Sequence, residues 1–282
     1  MNNTPKQVQI DDPHFRQAVQ LMDDGQAEQL QQWLHDHPQL LTQTAAEDGQ
    51  FAGDYFASPR LLWFVAENPI RHRQLPANVV EVIDVVATAS KAAGVNDLPE
   101  VLNYTLALVA SGCVARESGH QAAMCRALVR HGGDPNSGMQ SSLAHREIAA
   151  CEALLASGAD LTLPVAAGLG RVEDVRVMRD GAGAKLLQEA LVMAAINGQS
   201  QAVALLGDAV ADINAFNPPG LHAHSTPLHQ AVASGSADTV TALLRLGANR
   251  QIRDQIFDGA AADWARECGH PQIAALLEQA DH

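Results

Sequence analysis

The sequence is poor in aromatic residues. Phe, Trp and Tyr together make up 4% of its 282 positions. Alanine and leucine dominate instead, which favours thin, closely stacked helices over a bulky globular core. The hydrophobic content of 47% is still ample for a large buried interior. Cysteine is scarce too: Cys113, Cys125, Cys151 and Cys268 lie far apart and form no CxxC pair. Zinc-ligand spacing is therefore absent. The four read as reduced, mostly buried small residues, which fits a cytoplasmic protein. Positive charge is short as well, with 18 basic against 32 acidic residues and a net charge of -14. The acidity divides evenly about Ser141, so it forms no tail. A chain of this balance lacks the electrostatic footprint of nucleic-acid binding, and its charge reads as solubility or as a surface for basic partners. No stretch approaches the roughly 18 apolar residues that span a bilayer. The polar start, Met1 to Lys6, carries no apolar signal core. Neither a GxxxxGK phosphate loop nor a dinucleotide fingerprint occurs. Gly168-Leu169-Gly170 is the nearest glycine pair and reads as a helix turn. The expectation is a cytoplasmic protein with no cofactor, no nucleic acid and no membrane partner.

What the sequence does hold is concentrated around Thr226-Pro227-Leu228-His229. Pro227 suits a first helical position, where its missing N–H costs nothing. Thr226 is a preferred N-cap. Ala231 should be small where adjacent helices meet, and Val232 beside it is a mild departure. Gly235 breaks the helix. Val240, Leu243 and Leu244 then form a 3–4 spaced apolar stripe on a second helix, and Gly247 suits a left-handed stop. One such hairpin cannot bury its own apolar face, so neighbours are required.

They are present with varying fidelity. Downstream, Asp258 to Ala265, Gly269 and the stripe Ile273, Leu276, Leu277 form the last pair, with Asp263 in the place of His229. Upstream pairs read as Ala190–Ile196 with Val203 to Leu206, Leu163–Gly168 with Val172 to Met178, and Ser142–His145 with Leu154, Leu155. The front is more degenerate. Tyr104–Ser111 reads as a helix, Gly112–His120 as an inserted loop, and Met124 to Val129 as a second helix. Ser58-Pro59 starts a helix through Phe64, Asn68–Pro76 is a stretched loop, and Val79–Ser90 is a long helix. Phe15–Met22 and Leu30–Leu34 make the first pair. Turns from Gly25 to Gly269 recur at an average of about 35 residues, close to the roughly 33 of an ankyrin unit.

These motifs resemble a bacterial-type ankyrin-repeat protein, specifically over 190–277 and more loosely before. The resemblance implies an all-α ankyrin-repeat solenoid of about eight helix-turn-helix units, the early ones degenerate. It implies one array over 1–282: a cap pair at 13–57, divergent repeats at 58–189, and clear repeats with a C-terminal cap at 190–282. It further implies a non-enzymatic, monomeric interaction module whose concave face and loop tips bind another, unidentified protein. The contact residues expected on that surface are Asn197, Phe216, His222, His224, Ser225, Ala233, Ser234, Phe257 and Glu267. Phe216→Ala with His222→Ala is expected to weaken partner capture and leave helicity intact.

The histidines and aromatics admit other chemistries. The segment Asn217–Ser225, rich in Pro and Gly, reads as a projecting extended finger. His222 and His224, two apart on an extended chain, would share a side and could join His229 as zinc ligands. The resemblance occupies His229 with its own loop, leaving no metal. Ser225 beside His224 and His229 is the one set suggesting hydrolysis, and it lacks a GxSxG elbow. His35 and His37 suit a helix C-terminus. Tyr55-Phe56 and Trp63-Phe64 read as core, or as an aromatic anchor. Arg171, Arg176 and Arg179 alternate with acids as a solvated face, and Trp264 is expected on the preceding unit. A structural subunit of a larger assembly is a third reading, with Leu40 and Leu41 as exposed docking residues.

Overall fold

The computed structural model describes residues 10–45, 59–67 and 70–278. Among them every regular element is a helix, and the only β pairing is two isolated bridges, Thr44–Arg60 and Arg253–Ala260. The fold is all-α, built of helix pairs stacked as in an ankyrin-repeat solenoid. The chain forms two compact units. One comprises Met1–Ser142 with Ala149–Ala159, the other Leu143–Ile148 with Asp160–His282.

The first unit opens with α1 (Pro13–Asp23), capped by Asp12, whose carboxylate takes the His14 and Phe15 N–H groups at 2.7 and 3.0 Å. This satisfies two donors that the first turn leaves free. The Phe15 N–H bond, aided by Gln43, holds the Asp12 carboxyl below its usual range. α2 (Ala27–Asp36) follows, then a 3₁₀ turn at Pro38–Leu41. That turn buries Leu40 and Leu41, so neither is a docking residue: both fill the space between α2 and α3 (Val79–Ala92). The helix expected from Ser58 is a 3₁₀ stretch, Leu61–Ala66, which buries Phe64 against Phe15 at 5.8 Å between ring centroids. Trp63 packs on Tyr104 at 4.4 Å. Ser58, Tyr55-Phe56 and Asn68 lie outside the described residues. α4 (Leu98–Ala110) begins six residues before Tyr104, because Pro99 in its first turn is a start signal. The segment 112–120 is not a plain loop. It holds α5 (Cys113–Glu117), where Val114 and Ala115 are buried. α6 (Gln121–Arg130), most of α7 (Met139–Ala144) and α8 (Ile148–Ala156) complete the unit.

The second unit follows the expected pairing closely. Its helices are α9 (Leu163–Gly168), α10 (Val172–Arg179), α11 (Ala184–Ile196), α12 (Ser200–Gly207), α13 (Pro227–Ala233), α14 (Ala237–Arg245), α15 (Ala261–Glu267) and α16 (Pro271–Glu278). First helices α9, α11, α13 and α15 pack in series, and so do second helices α10, α12, α14 and α16. The stripe Val175, Val203, Leu206, Val240, Leu243, Ile273 and Leu277 is buried between the two rows. Each such aliphatic side chain contributes about 1.5–3 kcal/mol on burial. Ala166, Ala190, Ala194, Ala231, Ala261 and Ala265 are fully buried where first helices meet. Side chains this short let the helix axes approach, which explains the dominance of alanine over aromatics. Gly198 and Gly235 end first helices at φ of 69° and 75°, backbone that a side chain would strain.

Candidate functional site

The site grows from the loops that enter α13 and α15. Thr226 ends the first loop, and its hydroxyl lies 2.8 Å from Nδ1 of buried His229. His229 Nε2 lies 3.1 Å from the Gly259 carbonyl in the next loop. A carbonyl only accepts, so Nε2 carries the proton and Nδ1 takes the Thr226 hydroxyl and N–H. His229 thus bonds its own loop, as the resemblance implies, and also ties it to the following one. Burial lowers its pKa, against the Gly259 bond and the Asp254 charge, so the ring is a neutral strut. One unit later, Asp263 takes the place of His229: its carboxylate accepts the Ala260 N–H at 3.0 Å.

The segment 217–225 is a closed loop and not an extended finger. Asn217 N–H donates to Ser225 O at 2.9 Å, Leu221 N–H to Pro218 O, and Ser225 N–H to His222 O. Leu221 is buried beneath it, and that burial is what folds the loop inward. His222 adopts a left-handed φ of 59°, so alternation along a strand does not place its ring. The next loop is organised by Asp254, whose carboxylate accepts Phe257 N–H at 2.7 Å, Ile256 N–H at 2.9 Å, Gly259 N–H at 3.0 Å and the Trp264 indole at 2.9 Å. Burial works to raise this carboxyl, but the four donors outweigh it and hold it far below the usual range. Gln255 N–H donates to His224 O at 2.8 Å and joins the two loops.

Together the loops assemble a continuous series of rings. His145 meets His222 at 6.1 Å, His222 meets His224 at 6.3 Å, and His224 meets Phe257 at 6.1 Å and Trp264 at 6.0 Å. Trp264 then packs on His229 at 5.2 Å, one unit back as expected. Phe257 is 72% exposed and Ile256 beside it 64%. His222 Nε2 also reaches the Ala144 carbonyl at 3.0 Å, which ties this loop to the turn after α7.

Of the expected contact residues, the structure therefore brings His222, His224 and Phe257 together. Phe216 is 38% exposed at the start of the same loop. Ser225 is fully buried and cannot meet a partner. Its hydroxyl donates to His222 O and accepts from Gln230 and Asn217, so it braces the loop from beneath. The same bonds remove it from any nucleophilic set with His224 and His229. Asn197 spends its amide on Leu143 O and Met193 O at 3.0 and 2.9 Å. Ser234 is half-buried and closes its own turn by donating to Ala231 O, with Ala233 half-buried before it. Glu267 is exposed at the end of α15. Sequence reasoning missed His145 and Ile256 on this edge. The first becomes a neighbour only because a loop reaches back 78 residues along the chain.

Two other places gather charged side chains. Among the described residues, the side chains bringing potential metal ligands within 4.8 Å of one another are Asp23, Glu67 and His72. Arg71 already occupies that cluster, with Nη1 and Nη2 at 2.7 and 2.8 Å from Asp23 and Nη2 at 3.0 Å from Glu67. Glu67 also accepts the N–H groups of Arg71, His72 and Arg73. A buried carboxylate needs such partners, and the group reads as a structural ion pair. A hollow of about 680 Å³ between α14 and the last pair is lined by Arg250, Arg253 and Arg266, but none of the rings lines it. Arg253 pairs with Asp258, and Arg266 with Asp263 and Glu278. On α10, Arg176 pairs with Glu173 and Arg179 with Asp180, the mixed face expected.

A family model described as Ankyrin repeat matches residues 224–255, from the ring-bearing loop through α13 and α14. No curated protein matches the chain. The chain thus carries an ankyrin repeat, of a class that typically serves as a non-catalytic interaction module. No helix among the described residues is long and apolar enough to cross a membrane.

Proposed function

We propose that this protein is a non-enzymatic adaptor that captures a partner protein through the ring series of its second unit. The observation that carries this reading is Phe257. An aromatic ring exposed over 72% of its surface sits beside Ile256 and in line with His224 and Trp264. Protein interfaces draw most of their energy from a few such rings held rigidly at the centre of a patch. Here the rigidity comes from Asp254 beneath Phe257 and from the His229–Gly259 bond. Phe216 and His222 extend the patch, as do Glu267 and the exposed part of the turn at Ala233 and Ser234. The same reading takes the chain as one monomeric array of the bacterial type, working in the cytoplasm. None of its four cysteines is in a disulfide, and burial pushes the Cys125 thiol up to about 12, out of reach of ordinary thiol chemistry.

The test is capture of a partner, identified by mass spectrometry from the native cell, by wild-type and by His224→Ala/Phe257→Ala protein. Loss of two clustered interface rings should weaken binding at least about tenfold, with the melting curve unchanged. Equal capture by the double variant would place recognition elsewhere. Phe216→Ala/His222→Ala should weaken it as well.

A further inference from the structure

We propose that Arg146, next in the chain to His145, whose ring meets that of His222, is a seat for a carboxylate from an acidic segment of the partner protein. This rests on the adaptor reading above and specifies what one end of the ring series recognises. The starting point is how Arg146 is held. It lies in the turn after α7 at a left-handed φ of 61°, and its Nε donates 2.7 Å to the Ile196 carbonyl at the end of α11. That bond fixes the plane of the guanidinium at a helix C-terminus, where a cation is favoured. It leaves both Nη groups without an acceptor among the described residues, and the residue is exposed. His222, whose ring faces His145, is also left-handed, at 59°. The φ of Arg146 is the one that Gly170, Gly198, Gly235 and Gly269 adopt in the corresponding turns, so here an arginine side chain stands where the other units have none.

The electrostatics point the same way. Eight other described arginines each lie 3.6 Å or closer to a carboxylate. Arg146 makes no such ion pair among the described residues. Burial lowers its pKa, and only the Cys268 thiol acts the other way. His145 is lowered by desolvation first, then by His222 and by Arg146, with no acid opposing them. In a chain of net charge -14, Arg146 is thus a cation with no carboxylate paired to it. The distant acids do not cancel it, because exposed charges are screened beyond about 8 Å at physiological salt. A planar fork with both Nη groups open matches the two oxygens of a carboxylate. His145 supplies a ring N–H, and His222, whose own ring N–H is given to the Ala144 carbonyl, forms a wall on one side. The adjoining Phe257 and Trp264 favour a carboxylate carried on a polypeptide, whose neighbouring side chains can cover those rings.

Hexaglutamate is the probe, titrated into the full-length protein at constant ionic strength, with inorganic phosphate as a parallel arm. The readouts are the Arg146 Nε–Hε signal and the His145 and His222 Cε1–Hε1 signals by NMR. Hexaglutamate should move these three together, and Arg146→Gln should weaken the titration about tenfold, as loss of a charge-assisted fork requires. Because Arg146 also bonds Ile196 O, His145→Ala serves as a second variant whose ring makes no backbone bond. It should weaken the titration about threefold with an unaltered melt, the loss of one flanking donor. An Arg146→Gln protein that binds hexaglutamate as wild type does overturns the proposal. So does unchanged binding by His145→Ala, absence of these shifts, or phosphate binding as tightly as the peptide, which would mark a free-oxyanion site. The outcome is separable from the adaptor test. His224→Ala/Phe257→Ala leaves Arg146 intact, so it should still take hexaglutamate even if partner capture proves to lie elsewhere.

Discussion

At the residue scale, His229 shows how one side chain serves two loops. Its ring accepts from Thr226 and donates to Gly259, at 1% exposure. His229→Ala removes both bonds and leaves the buried Thr226 hydroxyl and N–H without their acceptor, while the Gly259 carbonyl keeps the Asp254 N–H. The expected cost is about 2–3 kcal/mol in urea unfolding of the second unit, since unsatisfied buried groups cost about 1–3 kcal/mol each. An unchanged midpoint would show that water replaces the ring without loss. Gly168 makes the complementary case. A Cβ there would lie 2.8 Å from Met193 Cγ and 3.2 Å from Leu143 Cδ1. Gly168→Val should therefore overpack the first-helix row and cost about 1–3 kcal/mol. A thermal melt equal to wild type would mean that these side chains move aside freely.

At the element scale, the loop 254–259 is a structure built on one carboxylate. Asp254 has its pKa depressed by the four donors around it. A depressed carboxyl contributes stability that is present above its unfolded value of about 3.9 and is lost as pH falls through the folded value. Asp254→Asn should accordingly lower stability at pH 7. It should also make stability fall less steeply than wild type as the pH drops below about 4. Parallel slopes would show that Asp254 does not carry this dependence.

The elements differ in how far local sequence decides them. The helices α13 and α14 were legible because Thr226, Pro227, Gly235 and Gly247 each act on backbone within a turn or two of themselves. The closed form of 217–225 was not, because it depends on Leu221 being buried and on His222 reaching Ala144. Neither fact follows from the order of prolines and glycines. α5 was missed for a related reason, as five residues between Gly112 and Ser118 carry too little periodicity to separate helix from loop. Ser225 was placed on the surface because a serine between His and Thr reads as polar loop. Its burial follows from Gln230 and Asn217, whose side chains turn inward to meet it.

At the scale of the whole molecule, stacked pairs imply stability that is local. Each helix row in the second unit contacts mainly its neighbours, so a cavity should be felt nearby and fade with distance. Leu243→Ala, in the buried stripe of α14, should cost about 2–5 kcal/mol. Hydrogen exchange should quicken in α12 to α16 and stay unchanged in α1 to α4. Uniform acceleration across the chain would show a single cooperative unit instead.

The central claim is that recognition runs along the rings from His145 to Trp264. Hydrogen exchange of the full-length protein with and without its captured partner tests it most directly. Slowed exchange at the amides of 221–225 and 255–258 is the predicted result. Protection confined to the second helices α10, α12, α14 and α16, with the two loops exchanging as in the free protein, would contradict it.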